Sequence, residues 1–241
     1  MRYYEPMEQH FSDLLDLILD SPHALIAGTT GSGKSVLMNA ILYNFMINKG
    51  VANRLFLIDP KRVELSIYKN LPHVIEYTSD SKRAVCLLRW ACQLMDERYQ
   101  EMEKQNRRQY DGGHIYIFID EIADLMLSDE RKQIERYLQR LTAVGRASNI
   151  HVIIATQLIR ADILTTKITG NIPLKIALRC VNSLESRQIV GVKGAENLPH
   201  HGQGLLLSPK FTQVMRVDIP YVEECNILET VDMWRYNMIV K

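Results

Sequence analysis

The sequence predicts an α/β protein with a mostly parallel central sheet and helices on both faces. Three observations lead to this class. Segments typical of strands alternate with segments typical of helices along most of the 241 residues, as a covered parallel sheet requires. A glycine-rich loop at residues 28–35 separates a short apolar strand from a helix. An apolar run at residues 115–119 ends in two adjacent carboxylates, which is typical of a buried parallel strand and its ligand-binding edge.

Each predicted element rests on local signals. In the amino-terminal half, helical periodicity or apolar runs end at proline, glycine or capping residues. Pro60, for example, closes the second strand because it cannot continue a central ladder. Ser79 or Asp80 is the expected N-cap of the long third helix. The predicted helices in this half are residues 7–20, 36–47 and 79–108, and the predicted strands are residues 23–27, 54–59 and 115–119.

The carboxyl-terminal half continues the alternation and then changes. A charged amphipathic helix at residues 130–146 precedes two apolar strands at residues 150–155 and 173–181. After Gly202 the pattern becomes one of short strands followed by a final helix. The short strands lie around residues 205–207 and 213–217, and the helix covers residues 221–236. Because no repeat, low-complexity tract or linker is visible, the chain is interpreted as one domain over residues 1–241.

Residues 28–35, called the phosphate loop below, read GTTGSGKS and fit the pattern G-x-x-x-x-G-K-[ST]. Its glycines allow a nest of inward-pointing N–H groups, and the following helix N-terminus adds partial positive charge. Lys34 is expected to reach the β- and γ-phosphates, and the Ser35 hydroxyl to bind Mg²⁺. A glycine-rich turn that matches by chance is the alternative. The predicted nucleotide-binding residues are Gly28, Thr29, Thr30, Gly31, Ser32, Gly33, Lys34, Ser35 and Val36.

Asp120 and Glu121 follow the apolar run and should emerge at the carboxyl edge of the sheet. Asp120 is expected to hold Mg²⁺, directly or through water. Glu121 is expected to act as the general base that polarises the water attacking the γ-phosphate. Taken alone, the two acids would equally suit the first turn of a helix. Together with the phosphate loop, they predict an NTP hydrolase.

Composition limits the partners and the compartment. The formal net charge is +1, so nucleic-acid binding would have to come from local basic patches. No apolar run is long enough to span a membrane, and residues 1–10 do not resemble a signal peptide. Four cysteines without C-x-x-C spacing favour unpaired, buried thiols in a reducing compartment. They are Cys86, Cys92, Cys180 and Cys225. A cytoplasmic location is therefore predicted.

Several phrases resemble the FtsK/SpoIIIE family of DNA translocases, in order and over about residues 22–218. The phosphate loop and the acidic pair belong to this resemblance, and many phrases outside both motifs do too. The phrases are AGTTGSGKS (27–35), IDPK (58–61), ELSIY (64–68), LPH (71–73), LRW (88–90), MDERY (95–99), DEIADLM (120–126), GRASNIH (145–151), ATQ (155–157), NIP (171–173), ESR (185–187) and GAENL (194–198).

The resemblance implies a RecA-like P-loop NTPase that forms a homo-oligomeric ring, commonly a hexamer, around double-stranded DNA. It also implies that ATP is hydrolysed with Mg²⁺ at subunit interfaces, where one subunit supplies an arginine to its neighbour's γ-phosphate. Arg146 stands at the family's position for that arginine, although it would also suit a helix C-terminus. Gln157 stands at the position of the family's polar γ-phosphate sensor, or it is a satisfied strand-end amide. Asp59 and Lys61 suit a place near the nucleotide or a subunit contact, and equally a local ion pair.

The segment expected to face DNA departs from the family. Where the family often has Arg-Pro after Ala-Thr-Gln, this chain has Leu158-Ile159. Arg160 and Lys167 are nearby candidates for phosphate contacts from a pore loop, and Arg187 matches a family position. Such contacts position DNA without reading its sequence. Arg160 and Lys167 would also suit a solvated loop, and Arg187 a subunit interface or a helix cap.

The main functional prediction is an ATP-dependent double-stranded DNA translocase. The family's usual motor chains carry a preceding domain, a membrane anchor and a winged helix. None is visible in this sequence, which is therefore interpreted as an excised motor core or a minimal relative. The short segment between Met102 and His114 points to relatives carried by conjugative elements or phages. The alternatives are a protein-export ATPase like those of type VII secretion, and a nucleotide-binding assembly module with little turnover.

Overall fold

The computed structural model describes residues 11–48 and 53–239, and its strands form one eight-stranded sheet. The strands are β1 (His23–Ala27), β2 (Arg54–Ile58), β3 (Val74–Thr78), β4 (Ile115–Ile119), β5 (Ile150–Thr156), β6 (Leu174–Ala177), β7 (Gln203–Leu207) and β8 (Met215–Asp218). Their order across the sheet is β3-β2-β4-β5-β1-β6-β7-β8. The strands from β3 to β6 in that order are parallel, whereas β7 pairs antiparallel with both β6 and β8.

Eight α-helices connect or flank these strands in the described part of the chain. They are α1 (Phe11–Asp20), α2 (Lys34–Asn48), α3 (Ser81–Lys104), α4 (Ile122–Met126), α5 (Arg131–Val144), α6 (Thr166–Thr169), α7 (Ser183–Val190) and α8 (Glu224–Ile239). Short 3-10 helices occur at Ser66–Tyr68, Gly145–Ser148 and Ala195–Asn197. No helix within the described ranges is long and apolar enough to cross a membrane.

The sheet is covered on both faces, as the sequence predicted. In β4, Ile117 and Ile119 point into a core shared with α3, α4 and α5. The alternate residues Tyr116 and Phe118 point into a second core shared with α1, α2 and α8. Because both faces of the central strands are buried, these strands read as continuous apolar runs. The predicted α/β class with a mostly parallel sheet is confirmed.

Element boundaries differ from the predictions by a few residues. The long helix α3 is shorter than the predicted 79–108, and Asp80 is its N-cap, accepting a hydrogen bond from Arg83 N at 2.8 Å. The predicted strand at 173–181 contracts to β6, and the last helix begins at Glu224 instead of residue 221. The start of the predicted helix at 7–20 falls on residues 7–10, which lie outside the described residues.

Four elements of the fold, β3, α4, α6 and α7, were missed, and two cysteines are less buried than predicted. β3 is an edge strand whose residues are mostly part-exposed, so it lacks the apolar run that marks the central strands. α7 is a short helix capped by Asn182, whose Oδ1 accepts from Leu184 N and Glu185 N. Cys92 and Cys180 are buried as predicted, whereas Cys86 is half-buried and Cys225 is exposed on α8.

The strand order places the predicted site residues along one edge. The carboxyl ends of parallel strands lie at the same edge of a sheet, which we call the carboxyl edge. Along it, β5 lies between β1 and β4, and β2 follows β4. The phosphate loop after β1, Gln157 after β5 and the acidic pair after β4 therefore lie side by side.

Candidate functional site

The phosphate loop leaves the carboxyl end of β1 and leads directly into α2, whose first residue is Lys34. Gly31 and Gly33 have φ angles of 76° and 94°, in the left-handed region that glycine adopts without strain. Among the described residues, the N–H groups of these two glycines have no hydrogen-bond acceptor. These donors are therefore available to phosphate oxygens, as in other phosphate-binding nests.

The beginning of the phosphate loop is anchored to both strands that flank β1. Gly28 N donates to the Thr156 carbonyl on β5 at 3.2 Å, and Thr29 N donates to the Arg179 carbonyl after β6 at 2.9 Å. The Thr29 hydroxyl also donates to the Arg179 carbonyl, at 3.1 Å. The loop thus begins from a fixed position in the sheet.

Lys34 and Asp120 form a buried ion pair. Lys34 Nζ lies 2.5 Å from Asp120 Oδ1 and 2.9 Å from the Asp120 carbonyl, and the two side chains are 3% and 2% exposed. Burial raises the pKa of the Asp120 carboxyl, whereas the Lys34 ammonium opposes that shift. The negative charges of Glu64 and Asp59 raise this pKa further. A divalent cation bound beside Asp120 would relieve the repulsion among these carboxylates.

Glu121 is the N-cap of α4 and is 2% exposed. Its carboxylate accepts hydrogen bonds from the Thr156 hydroxyl at 2.6 Å and from Gln157 N at 3.1 Å. It also accepts a long bond from Ala123 N at 3.4 Å, the capping contact. Lys61 Nζ lies 3.4 Å from Oε2, the oxygen that also accepts from Gln157 N. Glu121 is therefore both the N-cap of α4 and the predicted general base. The end of β5 contacts its carboxylate from one side, and the segment after β2 contacts it from the other.

Gln157 connects the phosphate loop with Glu121. Its side-chain oxygen accepts a hydrogen bond from the Thr30 hydroxyl at 2.9 Å, and its backbone N–H donates to Glu121. The Gln157 side chain therefore contacts a side chain of the phosphate loop, and the Gln157 backbone contacts the predicted base.

Two further residues that contact the site had no specific role in the sequence-based prediction. Glu64, in the segment after β2, accepts a hydrogen bond from the Ser35 hydroxyl at 2.5 Å. Thr156, at the end of β5, orients Glu121 as described above. Both belong to phrases shared with the FtsK/SpoIIIE family, and that sharing was the only signal for them. Their contacts depend on which strands are neighbours in the sheet, and that order is not a local property of the sequence.

Arg146 is far from these residues within the same subunit. It lies in the 3-10 helix Gly145–Ser148, directly before β5, so it is at the opposite edge of the sheet from Gln157. The seven residues of β5 span roughly 20 Å at the usual rise of a strand. The Arg146 side chain is exposed and has no hydrogen-bond or ion-pair partner within residues 11–48 and 53–239. One subunit therefore does not bring Arg146 together with Lys34, Asp120 and Glu121.

The predicted DNA-contacting residues are all exposed and follow the carboxyl ends of β5 and β6. Arg160 pairs with Asp162 at 2.8 Å, and Lys167 pairs with Glu135 at 3.5 Å. Arg187 lies in the last turn of α7. Exposed ion pairs of this kind contribute little stability, so a phosphate group can replace either carboxylate at small cost.

The residues present fit ATP and Mg²⁺. The phosphate loop offers free N–H donors and a lysine at a helix N-terminus, the usual cradle of a triphosphate. The Ser35 hydroxyl and the Asp120 carboxylate are hard oxygen ligands of the type that Mg²⁺ prefers. The short contact between Lys34 and Asp120 also shows that the carboxylate accepts a cation at close range.

Comparisons with known proteins agree with this geometry. The model of the FtsK/SpoIIIE family matches residues 11–117 and 113–161. The DNA translocase FtsK of Leptospira interrogans (serogroup Icterohaemorrhagiae, serovar copenhageni) is 36% identical over 230 residues, which is 88% of this chain and 24% of that protein. This chain therefore spans about a quarter of the length of that relative.

Solved structures show the same fold. The conjugation coupling protein TcpA of pCW3, solved as a monomer with ATPγS, superposes with a TM-score of 0.78 at 23% identity, covering 90% of this chain and 66% of TcpA. The cytoplasmic domain of the type VII secretion ATPase EccC from Thermomonospora curvata superposes with a TM-score of 0.72 at 21% identity, covering 89% of this chain and 28% of EccC. At such low identity, these likenesses concern the fold alone.

Proposed function

The chain belongs to the FtsK/SpoIIIE family and is a P-loop ATPase, and we propose that it is a motor that couples ATP hydrolysis to movement of double-stranded DNA. One observation carries the proposal: Lys34, Asp120, Glu121 and Gln157 converge at one edge of the sheet, connected by hydrogen bonds. This arrangement supports the roles of phosphate-binding lysine for Lys34, metal ligand for Asp120, base for Glu121 and polar sensor for Gln157.

In this proposal, the chain's own residues bind the triphosphate and prepare the attacking water. The phosphate loop binds the phosphates through its N–H groups, and Lys34 turns from Asp120 towards the β- and γ-phosphates. Ser35 and Asp120 would hold Mg²⁺, which would supply positive charge to neutralise the phosphate oxygens. A Glu121 carboxylate oxygen takes the proton of the water as it attacks. Gln157 orients that water through its side-chain amide.

We propose that Arg146 acts on the site of a neighbouring subunit in a ring. The proposal is supported by its position at the edge of the sheet opposite its own phosphate loop, and by its exposed guanidinium, which has no partner in the described part of the chain. A head-to-tail contact would bring the amino edge of one sheet to the carboxyl edge of the next, and such contacts close into rings when the rotation permits. Arginine provided in trans stabilises the charge that develops on the transferred phosphoryl group.

Double-stranded DNA is the proposed cargo. The relative of 36% identity is named a DNA translocase, whereas the export ATPase EccC is similar at 21% identity. The proposed contacts are Arg160, Lys167 and Arg187, which follow the carboxyl ends of β5 and β6. We also propose that this chain is a family member carried by a conjugative element or a phage, because the connection between α3 and β4 is short.

The test is the ATPase rate with and without linear duplex DNA, over a range of salt concentrations, with the particle mass measured by light scattering. We expect duplex DNA to accelerate turnover, and the effect to weaken as salt rises because counterions are released on binding. Replacing Arg160, Lys167 and Arg187 by glutamine should lower the salt slope of DNA binding by about one for each cation that touches a phosphate. The matched control replaces Lys69, Lys132 and Arg140, three exposed cations elsewhere on the surface.

Two results would contradict the proposal. An ATPase rate that ignores duplex DNA from low to moderate salt would favour protein export or an assembly role. An equal weakening of DNA binding in the test and control triples would show that the three named residues have no special place at the DNA.

A further inference from the structure

Two side chains of the loop after β2 contact residues of the candidate nucleotide site. This loop, residues 59–65, is called the β2 loop below, and it belongs to neither the phosphate loop nor the acidic pair. Its Lys61 Nζ lies 3.4 Å from Glu121 Oε2, and its Glu64 accepts the hydrogen bond of Ser35 at 2.5 Å. The β2 loop therefore contacts both the proposed base and a proposed Mg²⁺ ligand.

The β2 loop is anchored by Asp59, which is fully buried. Asp59 Oδ2 accepts from Leu65 N at 3.1 Å and from the Tyr77 hydroxyl at 3.4 Å, so the two ends of the loop are tied together. Between them, Arg62 N donates to the Asp59 carbonyl at 3.1 Å. Arg62 has a φ of 60°, a left-handed conformation that residues other than glycine adopt seldom. Because the backbone is constrained in this way, the position of Lys61 is set by the fold.

The charges around Glu121 explain what Lys61 contributes. Glu121 is almost fully buried, and its partners on β5, the Thr156 hydroxyl and Gln157 N–H, are neutral donors. A buried carboxylate is costly unless an opposite charge compensates it. The other lysine of the site, Lys34, is paired with Asp120 at 2.5 Å. Lys61 therefore supplies the cation in contact with Glu121.

We propose that Lys61 is a positioning residue for catalysis, which orients Glu121 through their ion pair without contacting ATP. The inference rests on the proposed role of Glu121 as base. The Lys61 side chain is 43% exposed, so the pair is weaker than a buried one. Its removal should slow the chemical step without abolishing it, and should leave nucleotide binding intact.

The test uses Lys61→Met, which keeps an apolar stem of similar length and removes the charge. In the full chain with ATP and Mg²⁺, we expect kcat to fall by about 10-fold, a part of what one proton-transfer group contributes. The Kd for ATPγS should stay within about twofold of the original value, because binding and chemistry are separated in this role. Lys61→Arg should restore most of kcat. Arg140→Met is the matched control, since it removes a cation of similar exposure that pairs with Asp96 at 2.6 Å.

Unchanged kcat in Lys61→Met, or a Lys61→Arg variant as slow as Lys61→Met, would overturn the inference. The Glu121→Gln background gives a further check, because it contains no carboxylate for Lys61 to orient. Adding Lys61→Met there should not reduce the residual single-turnover rate, and a further 10-fold decrease would place the action of Lys61 elsewhere. Full turnover in Glu121→Gln alone would instead refute the base assignment, so the two failures are distinguishable.

Discussion

Replacing Lys34 by methionine should destabilise the folded protein in a pH-dependent way, apart from any effect on nucleotide binding. The change leaves the Asp120 carboxylate almost fully buried and without the ammonium 2.5 Å away. Removing one partner of a buried pair typically costs about 3–5 kcal/mol. Protonation limits that cost, because taking an ordinary aspartate to its neutral form at pH 7 requires about 4 kcal/mol.

The sign of the pH dependence follows from the direction of the Asp120 shift. Its pKa in the folded protein is already raised by burial, and Lys34 lowers it, so the variant should raise it further. A carboxyl group with a raised pKa binds more protons in the folded than in the unfolded state, and stability then falls as pH rises. The largest possible loss of unfolding free energy, set by the cost of protonating Asp120, is therefore about 4 kcal/mol at pH 7 and about 2 kcal/mol at pH 5.5. For a chain of this size, a loss of about 4 kcal/mol of unfolding free energy at pH 7 corresponds to a decrease in Tm of roughly 8–16 °C.

The assay is thermal unfolding without nucleotide at pH 5.5 and pH 7.5, comparing the original chain, Lys34→Met and Lys34→Met with Asp120→Asn. The deficit of Lys34→Met should shrink at the lower pH, and the double variant should recover stability at the higher pH because no buried charge remains. Lys132→Met, at an exposed position on α5, controls for the removal of a surface lysine. An equal deficit at both pH values, or a double variant no more stable than Lys34→Met, would refute the argument.

Three further predictions concern other parts of the molecule. Glu121→Gln should bind ATPγS normally by calorimetry and lose at least about 100-fold in ATPase rate; turnover near the original rate would remove Glu121 as base. Arg146→Ala subunits and Glu121→Gln subunits should each be inactive alone and regain turnover when mixed. In a randomly mixed ring, roughly a quarter of the interfaces would combine an intact Glu121 with a neighbour's intact Arg146. A mixture as inactive as its components would argue against action in trans. Burial and the nearby His151 lower the pKa of His23 to about 3, so the original chain should lose up to about 1.4 kcal/mol per pH unit below pH 6.5 as the unfolded state takes up the proton. His23→Asn should reduce that slope in urea unfolding at pH 7 and pH 5, whereas identical slopes would show that His23 does not cause it.

The parts of the fold that the sequence predicted are those encoded locally. The phosphate loop joins a strand and a helix that are adjacent in the chain, and the spacing of its glycines determines the backbone conformation that Gly31 and Gly33 adopt. The apolar run before Asp120 identifies β4 because this strand is buried on both faces. Edge strand β3 was missed for the opposite reason, since one of its sides is open to solvent.

The contacts among the site residues were harder to predict because they cross the sheet. Lys61 approaches Glu121 because β2 is the neighbour of β4, and Thr156 approaches Glu121 because β5 is its neighbour on the other side. The adjacency of β2 and β4 does not follow from the order of the strands in the chain, because β3 lies between them in sequence. The sequence placed Lys61 at the end of a strand. It predicted for this residue either a local ion pair or a place near the nucleotide or a subunit contact. In the structure Lys61 forms an ion pair, and its partner is the predicted base.

The position of β5 has a consequence for how a ring of such subunits would transmit movement. β5 has Gln157 after its carboxyl end and Arg146 just before its amino end, and its residues are paired with β4 on one side and β1 on the other. Changing the separation between Gln157 and Arg146 would break ladder hydrogen bonds on both sides, which is costly in a buried sheet. A change at the γ-phosphate, which Gln157 is proposed to contact, cannot reach Arg146 by stretching this strand. If Arg146 completes the neighbouring site, the two sites are coupled through rotation of whole subunits, and the interface between subunits is where the movement must occur.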